Sequence, residues 1–171
     1  PTVGAYQSKD SPYYSWYSFY DFPNGYESWW GIDILPEVNE KSLDYQEFIF
    51  GNDGVLKKWL TFGIGGYRLD VADELPDFFL KKLRKSVKES NKNAIIIGEV
   101  WEDASNKIAY SERREYLQGY ELDSVMNYPF ASAIITFMRY GVAEHFMESI
   151  VSICENYPKC ALDCLMNHIG T

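Results

Sequence analysis

Three charged residues, Arg68, Asp70 and Glu99, have the types and the spacing that catalysis requires. Arg68 and Asp70 alternate with apolar residues along Gly66–Val71, and this period of two is typical of a strand. Glu99 follows the apolar run Ala94–Ile97, which is typical of a parallel strand buried on both faces. Each of the two strands is therefore predicted to end in a carboxylate.

The interval of 29 residues between Asp70 and Glu99 is about one strand–helix–strand repeat. Two neighbouring parallel strands would then present both carboxylates at the end of the sheet where α/β barrels build their active sites. Such a carboxylate pair is what glycoside hydrolysis requires. Alternatively, Arg68 and Asp70 form a structural ion pair and Glu99 ends its strand by chance, but the sequence GEVW at Gly98–Trp101 favours catalysis.

The chemistry predicted for this pair is the two-step retaining mechanism. One carboxylate would attack the anomeric carbon, and the other would protonate the leaving oxygen and then activate water, over a separation of about 5–5.5 Å. The positive charge of Arg68, on the same side of the strand, favours an ionised carboxylate beside it. We expect the negative charge of Asp70 to raise the pKa of Glu99 and to keep that acid protonated.

An amphipathic helix is predicted directly after the first strand, from about Pro76 to Ser90. Proline is favoured in the first turn of a helix. Phe79, Leu83 and Val87 recur every four residues and form the face that covers the sheet. The opposite face is predicted to be a solvated basic surface. Its residues are Lys81, Lys82, Arg84, Lys85 and Lys88.

The other predicted elements flank these two strands. Two helices are expected upstream, the second capped by Asn52 or Asp53. A partly helical segment, a strand, two helices separated by Gly141 and a final strand are expected downstream. In chain order these elements are Leu43–Phe50, about Val55–Leu60, Asn106–Gln118, Leu122–Met126, Ala131–Tyr140, Val142–Asn156 and Ala161–Met166.

Composition argues against several classes of protein. The chain has 171 residues and a net charge of −9, which argues against a nucleic-acid partner. It has no run of 18 apolar residues, so no membrane-spanning helix is predicted, and Pro1–Gly4 shows no signal-peptide pattern. Cys154, Cys160 and Cys164 have neither disulfide-framework nor zinc-site spacing. We therefore predict no metal and no cofactor. The free thiols favour a cytoplasmic location, with a secreted parent protein as the alternative.

Four motifs resemble those of the α-amylase family (glycoside hydrolase family 13). Arg68–Ala72 (RLDVA) resembles its nucleophile motif, and Gly98–Trp101 (GEVW) resembles its acid–base motif. Leu35–Asn39 (LPEVN) is similar to an extra motif of the neopullulanase, cyclomaltodextrinase and pullulanase branches. Glu121–Pro129 (ELDSVMNYP) is similar to the sixth barrel strand and its exit. The resemblance covers nearly the whole chain.

The resemblance implies an α/β fold, specifically a partial (β/α)8 TIM barrel with roughly its middle strands and helices, because a complete barrel needs about 250 residues. It implies retaining hydrolysis of α-glucosidic bonds in starch, pullulan or maltooligosaccharides. It also places Trp101, Asp73 and Glu74 where family members contact the aglycone side of a glucan. Asp73 and Glu74 equally suit the N-terminus of the helix that starts at Pro76.

The first 30 residues contain eleven aromatic side chains, and Pro12, Pro23 and Gly25 break any regular period. A long irregular loop is predicted there, and long loops in α/β enzymes are usually functional. The aromatic rings either stack on sugar rings in a glucan cleft or pack the loop against the barrel. For any single ring, packing is favoured.

Two parts of the family pattern have no counterpart in the chain. The Asp and Asn-His motif at the end of the third strand would lie before Pro1. The third catalytic carboxylate, in a His-Asp pair after the seventh strand, is also missing. Either Asn167–Ile169 is this motif with Ile in place of Asp, or Asn167–Thr171 directly precedes it, and we favour the second register. With two of three carboxylates, the chain alone is expected to be inactive.

Two competing functions come from other classes. A catalytically inactive α-amylase-like binding or scaffold protein is expected to have lost catalytic carboxylates, whereas Asp70 and Glu99 are intact. A divalent-metal barrel enzyme would take Asp70, Asp73 and Glu99 as ligands, but no lysine or histidine base stands beside them at a strand end.

Residues 1–171 are predicted to belong to a single catalytic barrel, with an aromatic-rich loop region over 1–42 and strand–helix units over 43–171. A segment from the middle of a barrel cannot close on itself, so one sheet edge is left unpaired. Pairing with a second copy would cover that edge. We therefore expect the chain to self-associate.

Overall fold

The computed structural model describes residues 3–170, which form two compact units, one ending at Phe62 and the other beginning at Gly63. The first unit has an antiparallel hairpin, two short 3-10 turns and two helices. These elements are the turn Tyr14–Trp16, β1 (Phe19–Asp21), β2 (Gly25–Tyr26), the turn Trp29–Gly31, α1 (Leu43–Phe50) and α2 (Val55–Thr61).

Aromatic packing holds the first unit together. Tyr14 stacks on Phe19 with ring centroids 5.1 Å apart, and Trp16 packs against Tyr45 and Phe48 of α1 at 5.4 and 4.9 Å. These contacts lie within the first unit, so packing of the loop against the barrel and stacking on sugar rings both stay predictions. Helix α1 has the predicted bounds.

The caps of these two helices differ from the sequence expectation. Ser42 caps α1, and its side chain accepts a hydrogen bond from the amide of Tyr45. The prediction that Asn52 or Asp53 caps α2 is wrong, because the helix starts after Gly54 with no capping side chain among the described residues.

The second unit is built on a parallel sheet. Its elements are β3 (Gly66–Leu69), a 3-10 turn (Ala72–Glu74), α3 (Asp77–Ser90), β4 (Ile95–Gly98), β5 (Ile108–Ala109), β6 (Glu112–Arg113), β7 (Ser124–Val125), α4 (Tyr128–Tyr140), α5 (Ala143–Asn156) and α6 (Lys159–Leu162). The sheet order is β3–β4–β7, and all pairs are parallel. No helix in residues 3–170 is long and apolar enough to span a membrane.

The register of the sheet aligns the carboxyl ends of its strands. Leu69 lies opposite Gly98, and Gly98 lies opposite Val125. Gly66 starts β3 at a φ of 153°, and a Cβ there would lie 1.9 Å from the carbonyl oxygen of Ile95, so only glycine permits this close approach. The residues that follow the strands therefore meet at one edge, as predicted.

Helix α3 covers the sheet with the predicted face. Phe79, Leu83 and Val87 are all buried. The prediction of a fully solvated basic face is wrong for Arg84 and Lys88, because both pair with the carboxylate of Asp123. Asp123 directly precedes β7, so these ion pairs tie the helix to the sheet.

Two predicted elements differ from the structure. Residues 106–118 contain the β5–β6 hairpin instead of a partly helical segment, and its turn residues Tyr110 and Ser111 have φ values of 53° and 65°. Positive φ at both positions matches the twist of a type I′ hairpin turn. The predicted strand over residues 161–166 is also wrong, because α6 extends through Leu162 and the pairing is a single bridge between Met166 and Met126.

Candidate active site

Asp70 and Glu99 share one cation at the carboxyl edge of the sheet. Arg68 binds Asp70 Oδ1 through Nη1, and its Nη2 lies 3.0 Å from Glu99 Oε2. The side chain of Asp70 is 80% exposed, whereas that of Glu99 is 10% exposed. The structure thus brings the three predicted residues together, with one carboxylate open to solvent and the other enclosed.

Four hydrogen-bond or ion-pair donors surround the carboxylate of Glu99. The amide of Val71 donates to Oε2 over 2.9 Å, and Arg68 approaches the same oxygen. Oε1 accepts from the hydroxyl of Tyr128 at 2.8 Å and from the indole N–H of Trp101 at 3.2 Å. Each oxygen therefore has two donors, which fixes the orientation of the carboxylate.

The pKa of Glu99 follows from this environment. Burial raises the pKa. The hydrogen bonds from Val71, Tyr128 and Trp101, together with the charge of Arg68, lower it by more than burial raises it, so the pKa lies below its ordinary value. The expectation that Glu99 has a raised pKa and stays protonated is wrong, because Arg68 contacts both carboxylates and the neutral donors favour the ionised form.

The turn after Asp70 has strained backbone. Val71 adopts the left-handed conformation with φ 36° and ψ 66°, which is unusual for a β-branched residue and costs on the order of 1–3 kcal/mol. This conformation directs two successive amides at Glu99, since the amide of Val71 binds its side chain and that of Ala72 donates to its carbonyl oxygen at 2.9 Å. These bonds offset the strain and join the two strand ends.

The third strand of the sheet also supplies side chains to the site. Met126 follows β7, and its sulfur accepts a hydrogen bond from Arg68 Nε at 3.4 Å. Tyr128, in the first turn of α4, packs edge-on against His168 with ring centroids 4.5 Å apart. Neither Met126 nor Tyr128 is among the site residues predicted from the sequence, although both lie in the ELDSVMNYP motif.

The other predicted substrate contacts lie close to the site. Asp73 accepts a hydrogen bond from Tyr116 at 2.5 Å and pairs with Lys107 at 3.1 Å. Glu74 accepts from the hydroxyl of Tyr110 at 2.5 Å. These bonds connect the turn after β3 to the β5–β6 hairpin and its flanks.

Trp101 has a different setting from these two acids. Its indole N–H binds the acid Glu99, and the residue is 45% exposed. A flat aromatic surface therefore lies beside the enclosed carboxylate. The aglycone contacts of Trp101, Asp73 and Glu74 stay predictions.

The arrangement does not suit the divalent-metal alternative. Arg68 binds both Asp70 and Glu99, and Asp73 is engaged by Lys107 and Tyr116. Within residues 3–170, no group of three or more His, Cys, Asp and Glu side chains is placed to hold a metal ion.

The family model described as "Alpha amylase, catalytic domain" matches residues 32–168. The chain belongs to the α-amylase family. Neopullulanase 2 from Thermoactinomyces vulgaris is 32% identical over 170 residues, covering 94% of this chain and 27% of the relative. An amylopullulanase from Thermoanaerobacter thermohydrosulfuricus is 33% identical, covering 99% of this chain and 13% of the relative. The chain therefore spans less than a third of either α-amylase-family relative.

Solved structures of α-amylase-family enzymes share the fold. Cyclic α-maltosyl-(1→6)-maltose hydrolase from Arthrobacter globiformis superposes with a TM-score of 0.83 at 25% identity, covering 97% of this chain and 37% of the enzyme. The Nostoc punctiforme debranching enzyme superposes with a TM-score of 0.78 at 28% identity, covering 98% and 38%. The chain is thus a partial TIM barrel of the α-amylase family, as predicted.

Proposed function

We propose that the protein is the central part of a retaining α-glucan hydrolase, with Asp70 as the nucleophile and Glu99 as the acid and base. The observation that carries this proposal is the shared guanidinium of Arg68, which binds both carboxylates. The nitrogens of one guanidinium are close together, so the carboxylates they bind stay only a few ångströms apart. The retaining mechanism needs such a short separation, about 5–5.5 Å.

The proposed steps use these two side chains in turn. The exposed carboxylate of Asp70 attacks the anomeric carbon, and the glycosidic C–O bond breaks with its electron pair on the leaving oxygen, which takes the proton of Glu99. The Glu99 carboxylate then takes a proton from water as the water oxygen attacks the anomeric carbon. The bond to Asp70 breaks, and both side chains return to their starting forms.

The first step needs Glu99 in its protonated form, whereas the site favours the ionised form. A further negative charge near Glu99 would raise its pKa. The third carboxylate that the family resemblance places after the seventh barrel strand would supply this charge. Because the chain lacks that group, and because catalysis depends on an enclosed, preorganised site, we expect the 171-residue chain alone to release no reducing sugar from soluble starch.

The proposed substrates are α-glucans and maltooligosaccharides. The names of the relatives support this class, since one is a neopullulanase, one is an amylopullulanase, and a structural neighbour is a hydrolase of cyclic α-maltosyl-(1→6)-maltose. We assign aglycone contacts to Trp101, Asp73 and Glu74. The exposed indole of Trp101 beside Glu99 can stack on a sugar ring, and the two acids lie on the turn that follows the nucleophile.

Covalent trapping in the complete barrel that contains this chain tests the proposal. A fluorinated α-glucosyl fluoride, which slows the second step, should leave a glycosyl group on the peptide that contains Asp70, and mass spectrometry of a protease digest should locate it. The Asp70→Asn variant should gain no label. A label on another residue would contradict the assignment of the nucleophile.

We also propose that the 171-residue chain self-associates. Among the described strands, β3 pairs only with β4, so one side of β3 presents backbone groups without a strand partner. Addition of a strand from a second copy would satisfy them. Size exclusion with light scattering at micromolar concentration should show a dimer or a larger species. A compact monomer would contradict this proposal and leave the catalytic assignment untouched.

A further inference from the structure

The four donors around Glu99 are chemically unequal. The amide of Val71, the indole N–H of Trp101 and the guanidinium of Arg68 can only donate. The hydroxyl of Tyr128, 2.8 Å from Oε1, can donate or accept. Among the described contacts of Glu99, Tyr128 is thus the one partner that can reverse its hydrogen bond.

This difference matters when Glu99 takes up a proton. A protonated carboxyl has one O–H donor, which must point at an acceptor or at the substrate. None of the three N–H groups can receive that proton. The hydroxyl of Tyr128 can turn, accept from Oε1–H, and turn back to donate once the proton has left. The carboxyl then keeps its position in both charge states.

We propose that Tyr128 is a positioning residue for Glu99, which holds the carboxyl in place and sets the balance between its ionised and protonated forms by reversing one hydrogen bond. This inference rests on the proposed function only for the use of Glu99 as an acid. The hydrogen bond itself and its effect on the titration of Glu99 do not depend on catalysis.

The surroundings hold the hydroxyl of Tyr128 at this position. Its neighbour Asn127 caps α4 by accepting from the amide of Phe130, and the Asn127 side chain donates to Asn167 at 2.8 Å. His168 packs edge-on against the Tyr128 ring. The residue before Tyr128 and the Tyr128 ring itself are therefore both held in place.

The charged and titratable groups that face this pair come from the end of β3 and from the segment after α6. Arg68 contacts Glu99 from the end of β3, and Asp70 contacts Arg68. His168 faces the ring of Tyr128 from the segment after α6.

The test is a carboxyl-carbon NMR titration of Glu99 in the 171-residue chain labelled with ¹³C-glutamate. Tyr128→Phe removes a donor to the ionised form, so the titration midpoint of Glu99 should rise by about one pH unit. Tyr110→Phe is the matched control, because it removes the same kind of bond from Glu74. It should leave the midpoint of Glu99 unchanged.

A second substitution covers the case in which Tyr128→Phe does not fold. Replacing Tyr128 by 3-fluorotyrosine preserves the shape of the ring and makes the hydroxyl a stronger donor. The midpoint of Glu99 should then fall instead of rising. An unchanged midpoint in folded Tyr128→Phe, or a rise with 3-fluorotyrosine, would overturn the proposal.

Activity of the complete barrel separates this inference from the proposed function. Tyr128→Phe should move the alkaline limb of the kcat/KM profile on maltooligosaccharides to higher pH, because a general acid is active only while protonated. A shifted NMR midpoint without any hydrolysis by the complete wild-type barrel would support the role of Tyr128 and contradict the proposed function. Hydrolysis by the complete wild-type barrel with an unshifted Glu99 midpoint in Tyr128→Phe would support the proposed function and contradict the role of Tyr128.

Discussion

The two ends of the parallel sheet hold a carboxylate in similar surroundings. At the carboxyl edge, Glu99 accepts from a backbone amide, two side-chain donors and Arg68. At the opposite end, Asp123 binds Arg84 at 2.9 Å, Lys88 at 2.6 Å and the amide of Ile96 at 2.9 Å. In both cases burial raises the pKa, but the donors and cations outweigh it and lower the pKa.

The ends differ in what accompanies the carboxylate. Asp123 binds cations from a single helix and a regular strand amide, and its side chain is 19% exposed. Glu99 shares its cation with Asp70, which is open to solvent, and depends on the strained backbone of Val71. One end joins a helix to the sheet, and the other keeps a second carboxylate available. This division matches α/β barrels, in which the carboxyl edge carries function and the opposite edge carries stability.

The largest effect is expected for turnover at the carboxyl edge. In the complete barrel, Asp70→Asn or Glu99→Gln should lower kcat on maltooligosaccharides by about three orders of magnitude or more, because neither carboxylate can be replaced in the two-step mechanism. Circular dichroism should show an intact fold. Asp123→Asn, assayed well below its melting temperature, should keep near-normal turnover. Near-normal turnover in either site variant would rule out the catalytic assignment.

Stability should show the opposite ranking of the two ends. Asp123→Asn should lower the free energy of unfolding by about 2–3 kcal/mol, because it leaves Arg84 and Lys88 without their shared anion. Asp70→Asn removes an exposed ion pair and should cost less than about 1 kcal/mol. Urea titrations at pH 7 measure both. Equal losses would show that the ends do not differ as described.

The pH dependence of the Asp123 effect has a definite sign. Since folding lowers the pKa of Asp123, its contribution is present above the unfolded value near 3.8 and is lost as the pH falls through the folded pKa. The difference between wild type and Asp123→Asn should therefore shrink in acid. A difference that stays constant from pH 7 to pH 2 would argue against an ionic origin.

A smaller effect is expected at Glu121, a carboxylate that lacks the donors of the other two. It is fully buried, Lys81 lies 3.7 Å away, and neither oxygen has a hydrogen-bond partner within residues 3–170. Burial, followed by the charge of Asp77, raises its pKa to about 7. Its contribution to stability is therefore complete below pH 4.5 and is lost as the pH rises through 7.

Glu121→Gln should remove this loss. The variant should be more stable than wild type at pH 8 by about 1–2 kcal/mol, with a flatter dependence of the unfolding free energy between pH 4.5 and pH 7. Glu89→Gln, which takes an exposed carboxylate from Lys85 on the same helix, should preserve the wild-type slope. Urea titrations between pH 4.5 and pH 8 measure this dependence. If Glu121→Gln kept the wild-type slope of unfolding free energy against pH, a group other than Glu121 would be responsible for that slope.

Local pattern was enough to predict the elements that carry the two carboxylates. Each of these elements shows the sequence period that its buried face produces. The signals are the alternation around Arg68 and Asp70, the apolar run before Glu99 and the four-residue period of α3. The β5–β6 hairpin was missed because its turn is Tyr110-Ser111 rather than the Asn-Gly or Asp-Gly that usually marks a type I′ turn. The strand predicted over residues 161–166 is absent because Met166 forms only a single bridge with Met126, which is too short to produce a strand pattern in the sequence.

The sequence by itself determined the family, the partial-barrel fold and the identity of the paired carboxylates, because strand period, repeat length and motif order are local properties. Only the tertiary structure decided the direction in which the pKa of Glu99 is shifted and the partners of Asp123. Their donors come from segments distant in the chain, such as Tyr128 for Glu99 and Arg84 for Asp123, and they meet through the parallel register of the sheet and the packing of α3. A pKa depends on every charge and donor within a few ångströms, so it follows from this assembly and not from spacing along the chain.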